Sequence, residues 1–218
     1  MNRISFLAAS IGIFLLFSQA FAQTDEVPKF EVAAEFTTLE RDSNFFGQKR
    51  TEPGLGGRFT FNLNKVFSLE TAGYFFPKDC FGCDRDGHIT QVVGGVKVGK
   101  RFDKWGIFAK ARPGVVHYSR GFTGFVTCFS VICPFPIEPF DRNKNNFAVD
   151  LGGVVEFYVS KRIVTRFDAG DTMIHHSRVE VNGQIFNPVT RQFDPFLFIS
   201  PARTTHNFQF MTSVGFRF

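Results

Sequence analysis

The sequence predicts an all-β fold, an eight-stranded antiparallel up-and-down transmembrane β-barrel. Three observations predict it. No run within residues 23–218 keeps helical periodicity, whereas strict alternation of apolar and polar side chains recurs eight times. Within those eight windows every charged residue lies on the face opposite the large apolar ones. Phenylalanine, at 32 of 218 residues beside 20 glycines, supplies that apolar face, and the 44% hydrophobic content excludes a disordered tail. The length suits one domain.

Residues 1–22 read as a cleaved signal peptide. Asn2-Arg3 gives a positive start, Ile4 to Phe17 is almost wholly apolar, and Ala20-Phe21-Ala22 carries small residues at the positions a signal peptidase reads. A membrane-spanning helix needs about 20 apolar residues, and no basic stop-transfer cluster follows the run. Cleavage is expected between Ala22 and Gln23, leaving residues 23–218 as the barrel domain.

The first strand, Phe30 to Leu39, puts Phe30, Val32, Ala34 and Phe36 against Glu31, Ala33, Glu35 and Thr37. Gly57 to Leu63 sets Phe59, Phe61 and Leu63 against Arg58, Thr60 and Asn62, and Phe67 to Phe76 sets Phe67, Leu69 and Phe75 against Ser68, Glu70 and Ala72. Thr90 to Gly99 opposes Val92, Val96 and Val98 to Gln91 and Lys97. Trp105 to Val116 opposes Trp105, Ile107, Ala109, Ala111 and Val115 to Gly106, Lys110, Arg112 and Gly114, with Pro113 suggesting a bulge. Phe147 to Tyr158 opposes Phe147, Val149, Leu151, Val155 and Phe157 to Asp150, Gly152 and Glu156. Ile163 to Gly170 opposes Ile163 and Phe167 to Arg166 and Asp168. Asn207 to Phe218 opposes Phe208, Phe210, Val214, Phe216 and Phe218 to Gln209, Ser213 and Arg217.

The charged face holds Glu31, Glu35, Arg58, Glu70, Lys97, Lys110, Arg112, Asp150, Glu156, Arg166, Asp168 and Arg217, six acids and six bases. A soluble, lipocalin-like periplasmic binder would turn this face to water. Three features favour the opposite arrangement. The charged face is rich in small residues (Ala33, Ala72, Gly95, Gly99, Gly106, Gly114, Ala148, Gly152, Gly170, Ser213, Gly215), as a crowded lumen requires. Connections alternate between short (64–66, 100–104, 159–162) and long (40–56, 77–89, 117–146, 171–206), the anatomy of short periplasmic turns and long extracellular loops, with both barrel ends on the short-turn side. Finally, Val214, Phe216 and Phe218 give the last strand an aromatic end resembling the signal read by the outer-membrane assembly machinery.

The formal charge of +5 does not imply nucleic acid. Strands and long connections each balance, and the excess comes from the short turns, where Lys65, Lys100, Arg101, Lys104, Lys161 and Arg162 oppose Asp103. That places it at a periplasmic rim beside phospholipid phosphates.

At Gly95-Val96-Lys97-Val98-Gly99-Lys100-Arg101-Phe102, through Trp105-Gly106-Ile107-Phe108-Ala109-Lys110-Ala111-Arg112-Pro113-Gly114, and at Tyr158-Val159-Ser160-Lys161-Arg162 to Arg166-Phe167-Asp168-Ala169-Gly170-Asp171, the chain resembles the small eight-stranded outer-membrane β-barrel domain family, similar to the OmpA transmembrane domain. The resemblance covers nearly all of residues 23–218. It implies residence in the bacterial outer membrane among its lipids and lipopolysaccharide. It speaks weakly to function, since such barrels serve as anchors, adhesins, resistance factors and, rarely, lipid enzymes. Larger relatives add a peptidoglycan-binding domain after the barrel, and none is expected here.

An eight-stranded interior is just wide enough for side chains, so the twelve charges are expected to fill it as a paired network rather than gate ions. Cys80 and Cys83 fall in the second long connection and Cys128 and Cys133 in the third. Export favours disulfides over zinc, with local pairing preferred among three connectivities. His117-Tyr118-Ser119 places a histidine and a serine on the lipid-facing parity, where a lipid A deacylase would need them, but Arg120 follows where such enzymes carry Asn. His175-His176-Ser177 reads as loop polarity. The apolar run Gly121 to Phe135 is expected to cap the barrel mouth or, as the alternative, to meet a partner. Asn182-Gly183, within Val179 to Phe186, is expected to turn a hairpin. The expected function is a non-enzymatic outer-membrane barrel without cofactor or metal, displaying four loops for envelope integrity or an extracellular partner. Lipid A deacylation by His117 and Ser119, and the lipocalin-like binder, are the alternatives.

Overall fold

Strands whose two faces differ this sharply must separate them, and a sheet closed on itself does so without leaving an unpaired edge. The computed structural model describes residues 27–43, 48–77, 87–125, 139–187 and 189–218. Eight strands form a closed antiparallel barrel: β1 (Phe30–Ser43), β2 (Gln48–Asn62), β3 (Phe67–Phe76), β4 (Ile89–Arg101), β5 (Trp105–Phe125), β6 (Pro139–Tyr158), β7 (Ile163–His176) and β10 (Arg203–Arg217). Between β7 and β10, β8 (Val179–Asn187) and β9 (Gln192–Ser200) make a separate two-stranded hairpin. Sequence neighbours pair around the ring, and β1 closes on β10 through Glu31 opposite Arg217 to Leu39 opposite Gln209. Phe30 and Phe218 exchange both backbone hydrogen bonds at 2.9 Å, so both barrel ends lie on the short-turn side.

The burial is inverted relative to a water-soluble barrel. Val214 (60% exposed), Phe147 (57%) and Ile107 (51%) represent an outward belt that runs round all eight barrel strands, while all twelve charged residues of the opposite face are buried. On β5 the belt spans Trp105 to Val115 and on β6 Phe147 to Phe157, eleven residues each, the length of a tilted strand crossing hydrocarbon.

The small inward residues let the strands approach. Gly152 faces Gly170 across β6 and β7, and a Cβ on Gly152 would lie 2.5 Å from Ala169 O and 2.8 Å from the Gly170 Cα. At Gly54 a Cβ would lie 2.6 Å from the Phe76 ring, so the ring packs over bare backbone and covers it.

Several expectations are corrected. Seven barrel strands, all but β3, run beyond their predicted ends on the loop side, β4 by a single residue. β5 reaches Phe125 and β6 starts at Pro139, so much of the connection expected over 117–146 is ladder, as are parts of 40–56 and 171–206. Backbone pairing needs no apolar side chains, and alternation stops marking strands where they leave the belt. At Pro113 the register runs on unchanged from Val93 opposite Gly114 to Val96 opposite Ala111, with only the intervening pairs lapsing. The irregularities fall instead between Tyr118 and Gly121 and between Phe122 and Gly124. The hairpin expected at Asn182-Gly183 turns later. Gly183 pairs with Phe196 inside the ladder, and the Asn187 side-chain carbonyl accepts from the Val189 and Thr190 N–H groups at 3.0 and 3.3 Å. An Asx cap outweighs the Asn-Gly signal there.

Candidate functional site

Inward positions of the barrel strands carry three layers. At the short-turn mouth, the Arg101 guanidinium donates to Asn62 Oδ1 at 2.5 Å and Asn64 O at 3.2 Å, and Arg217 donates to Ser160 O at 2.9 Å with its guanidinium 4.4 Å from the Tyr158 ring centre. Glu31 accepts from Asn62 Nδ2 at 3.0 Å and lies 3.8 Å from Arg58.

The middle layer is the ionic network. Glu70 on β3 accepts from Arg166 on β7, which stands on the opposite wall. Arg166 also holds Asp168 at 2.5 and 2.7 Å. Glu70 further meets Lys97 at 3.4 Å, Arg58 at 3.5 Å and Arg112 at 3.8 Å. Arg58 donates to Glu35 at 2.8 Å, and Tyr74 OH donates to the other Glu35 oxygen at 2.6 Å. Lys97 pairs with Glu156. Arg112 donates to Asp150 Oδ2 at 2.5 and 2.9 Å, and Lys110 bridges Asp150 and Asp168 at 3.0 and 3.3 Å.

Toward the loop end the lumen turns amide and then apolar. Gln91 on β4 and Gln209 on β10, diametrically opposed strands, donate to each other at 3.3 and 3.2 Å, and Gln209 binds Thr37 and Thr172. Leu39, Phe76, Ile89, Val116, Tyr118 and Ile174 form a buried apolar cluster at that end.

Thus the structure brings together the twelve charged residues named from parity. It adds Arg101, expected in a turn, and Tyr74, which shares the inner parity with Gln91 and Gln209; Glu52, expected in a loop, is also buried. The interior apolar cluster was not foreseen. Its residues alternate in step with the charged ones, but they stand at the ends of the alternating windows (Leu39, Phe76, Val116) or in stretches expected to be connections (Ile89, Tyr118, Ile174), where parity was not followed.

The His117 and Ser119 side chains are engaged separately. His117 Nδ1 faces Asn145 Oδ1 at 2.7 Å, while Ser119 Oγ accepts from the His88 N–H at 2.7 Å. Among the described residues no hydrogen bond joins the two and no carboxylate orients the histidine, so a nucleophile-base pair is not assembled. His175 and His176 face Thr204 and Thr205, each at 3.2 Å, and exposed His206 faces Asp171 at 2.6 Å. All five histidines of the chain therefore lie at the loop end of the barrel. Cys80, Cys83, Cys128 and Cys133 lie outside the described residues, as do 126–135 of the apolar run. No group of three or more metal-ligating side chains occurs among the described residues.

No family model matches the chain, and no curated protein does. Solved structures do. Neisserial surface protein A aligns with 89% of this chain and 100% of its own, at 10% identity and a TM-score of 0.51. The Ail attachment invasion locus protein of Yersinia pestis aligns with 87% of this chain and 97% of its own, at 12% identity and a TM-score of 0.47. The outer membrane protein OprG of Pseudomonas aeruginosa aligns with 87% of this chain and 95% of its own, at 12% identity and a TM-score of 0.45. At such identity the likeness to the Neisserial protein is one of fold: a small closed eight-stranded barrel.

Proposed function

We propose that this chain is a non-enzymatic bacterial outer-membrane β-barrel, exported by removal of residues 1–22, that displays its loop ends for envelope integrity or surface interaction. The observation that carries the reading is the inverted burial: Phe, Val, Leu and Ile outside, a dense ionic network inside. In water an exposed apolar belt of that extent would be an aggregation liability, whereas hydrocarbon satisfies it, and closure leaves no strand edge unpaired there. The short-turn end then faces the periplasm. Val214, Phe216 and Phe218 offer the assembly machinery an outward aromatic strand end, with lipopolysaccharide around the loop-side half of the belt.

The test is fractionation of expressing cells, with the membranes washed in urea and the protein run on gels with and without boiling. Retention in the outer-membrane fraction with a compact unboiled band is expected. Release into the wash would defeat the reading and favour the lipocalin-like alternative. Mass spectrometry of lipid A from the same cells is expected to show unchanged acylation, and an acyl chain lost only while Ser119 is intact would replace the non-enzymatic role by deacylation.

A further inference from the structure

The three short connections lie side by side. Gly99 N–H donates to Val66 O at 3.0 Å, Tyr158 N–H to Lys104 O at 2.9 Å and Arg217 N–H to Arg162 O at 2.8 Å, so residues 63–66, 102–104 and 159–162 form one arc. The six basic residues in these turns and at the adjoining end of β4 do not share one fate. Arg101 turns inward to Asn62, Asn64 and Ser68 and closes the mouth. Lys65 is half-buried. Lys100, Lys104, Lys161 and Arg162 stay exposed, and none of the four is ion-paired to a carboxylate among the described residues.

Beside these cations begins the apolar belt. Trp105 stacks on Phe102 with ring centres 4.2 Å apart, Lys100 Nζ stands 5.3 Å from the Phe102 ring centre, and Val159, adjoining the basic pair in its turn, is 69% exposed. Unpaired cations within one or two residues of side chains that need hydrocarbon have their two demands met together at a bilayer surface bearing negative headgroups. A partner dissolved in water would neutralise the cations and leave Trp105 and Val159 wet.

We propose that Lys100, Lys104, Lys161 and Arg162, with the Phe102–Trp105 stack, form a docking surface for the phosphate headgroup of an anionic phospholipid in the leaflet at the short-turn end. The proposal rests on the membrane-spanning reading above. The lipid phosphate lies across the two adjacent turns while its acyl chains run along Trp105 and the β5–β6 face. The occupant is identified by charge complementarity and by the apolar belt that continues from the patch.

Trp105 is the only tryptophan of the chain, so its fluorescence reports this location alone. The full-length protein is reconstituted in phosphatidylcholine vesicles containing brominated phosphatidylglycerol or, separately, brominated phosphatidylcholine, and quenching of Trp105 gives the relative association constant of the two lipids. A preference of about fivefold or more for phosphatidylglycerol is expected, corresponding to one engaged cation. It should fall to about one in the K100Q/K104Q/K161Q/R162Q variant and weaken in molar salt. Heat-modifiable migration establishes that the variant is folded, and should it not fold, K161Q/R162Q is expected to lower the preference in the same direction. Equal quenching by both lipids in the natural protein, or an undiminished preference in a folded variant, overturns the proposal. Absence of quenching by either lipid overturns the membrane-spanning reading itself and this proposal with it.

Discussion

At Glu70 one buried carboxylate faces four cations, Arg166, Lys97, Arg58 and Arg112. Removing one charge from a desolvated network is costly because the partners stay buried without it. Glu70→Gln, nearly isosteric, is therefore expected to destabilise the barrel by about 3–5 kcal/mol. Glu31 differs: its Oε2 has no hydrogen-bond partner and its nearest cations stand at 3.8 and 3.9 Å. Glu31→Gln should cost about 1 kcal/mol. Urea midpoints in detergent, read by the unboiled compact band, compare the two, and equal losses would show that Glu70 is no hub. Parity alone assigned Glu70 to the inner face, but not its partners. Arg166 is 96 residues away in sequence, and only closure of the ring sets the two on opposite walls.

β6 and β7 meet at a glycine pair where Gly152 faces Gly170. A side chain at Gly152 would meet Ala169 O and the Gly170 Cα, both backbone, so the sheet itself would have to move. Gly152→Val is expected to lose about 1–3 kcal/mol through overpacking, lowering the urea midpoint, whereas a valine accepted without change would place that face outside the crowded lumen. Alternation located the belt segments of all eight barrel strands but, β3 apart, not their loop-side ends. At His117, Ser119, Asn145 and His175 the outward face turns polar while the ladder continues, so hydropathy no longer distinguishes strand from loop. The β8–β9 hairpin was legible as a hairpin only; its turn was decided by the side-chain carbonyl of Asn187 rather than by the Asn-Gly dipeptide.

Across the whole molecule, side chains from opposite walls touch at two levels, Glu70 with Arg166 and Gln91 with Gln209, and the apolar cluster from Leu39 to Ile174 fills the loop-side end. An ion crossing this lumen would have to break the network and then pass the buried apolar cluster. Purified protein in planar bilayers is accordingly expected to give no large, long-lived conductance steps, and stable openings of the size of a water-filled porin would mean that the interior rearranges into a channel. The exterior points the same way: the wide apolar belt, not a solvent-lined cavity, is the surface this fold presents.

The sequence by itself determined the class of fold, the even number of barrel strands, which charged residues face inward and the short-turn origin of the basic excess, because a period of two is a local property written into neighbouring residues. Only the tertiary structure decided who pairs with whom inside the barrel, that Arg101 belongs to the mouth rather than the rim, that the loop-side lumen is apolar, and that His117 and Ser119 are held by different partners. Those outcomes depend on the register between strands distant in sequence and on the diameter set by ring closure. Neither quantity is carried by any one segment of the chain.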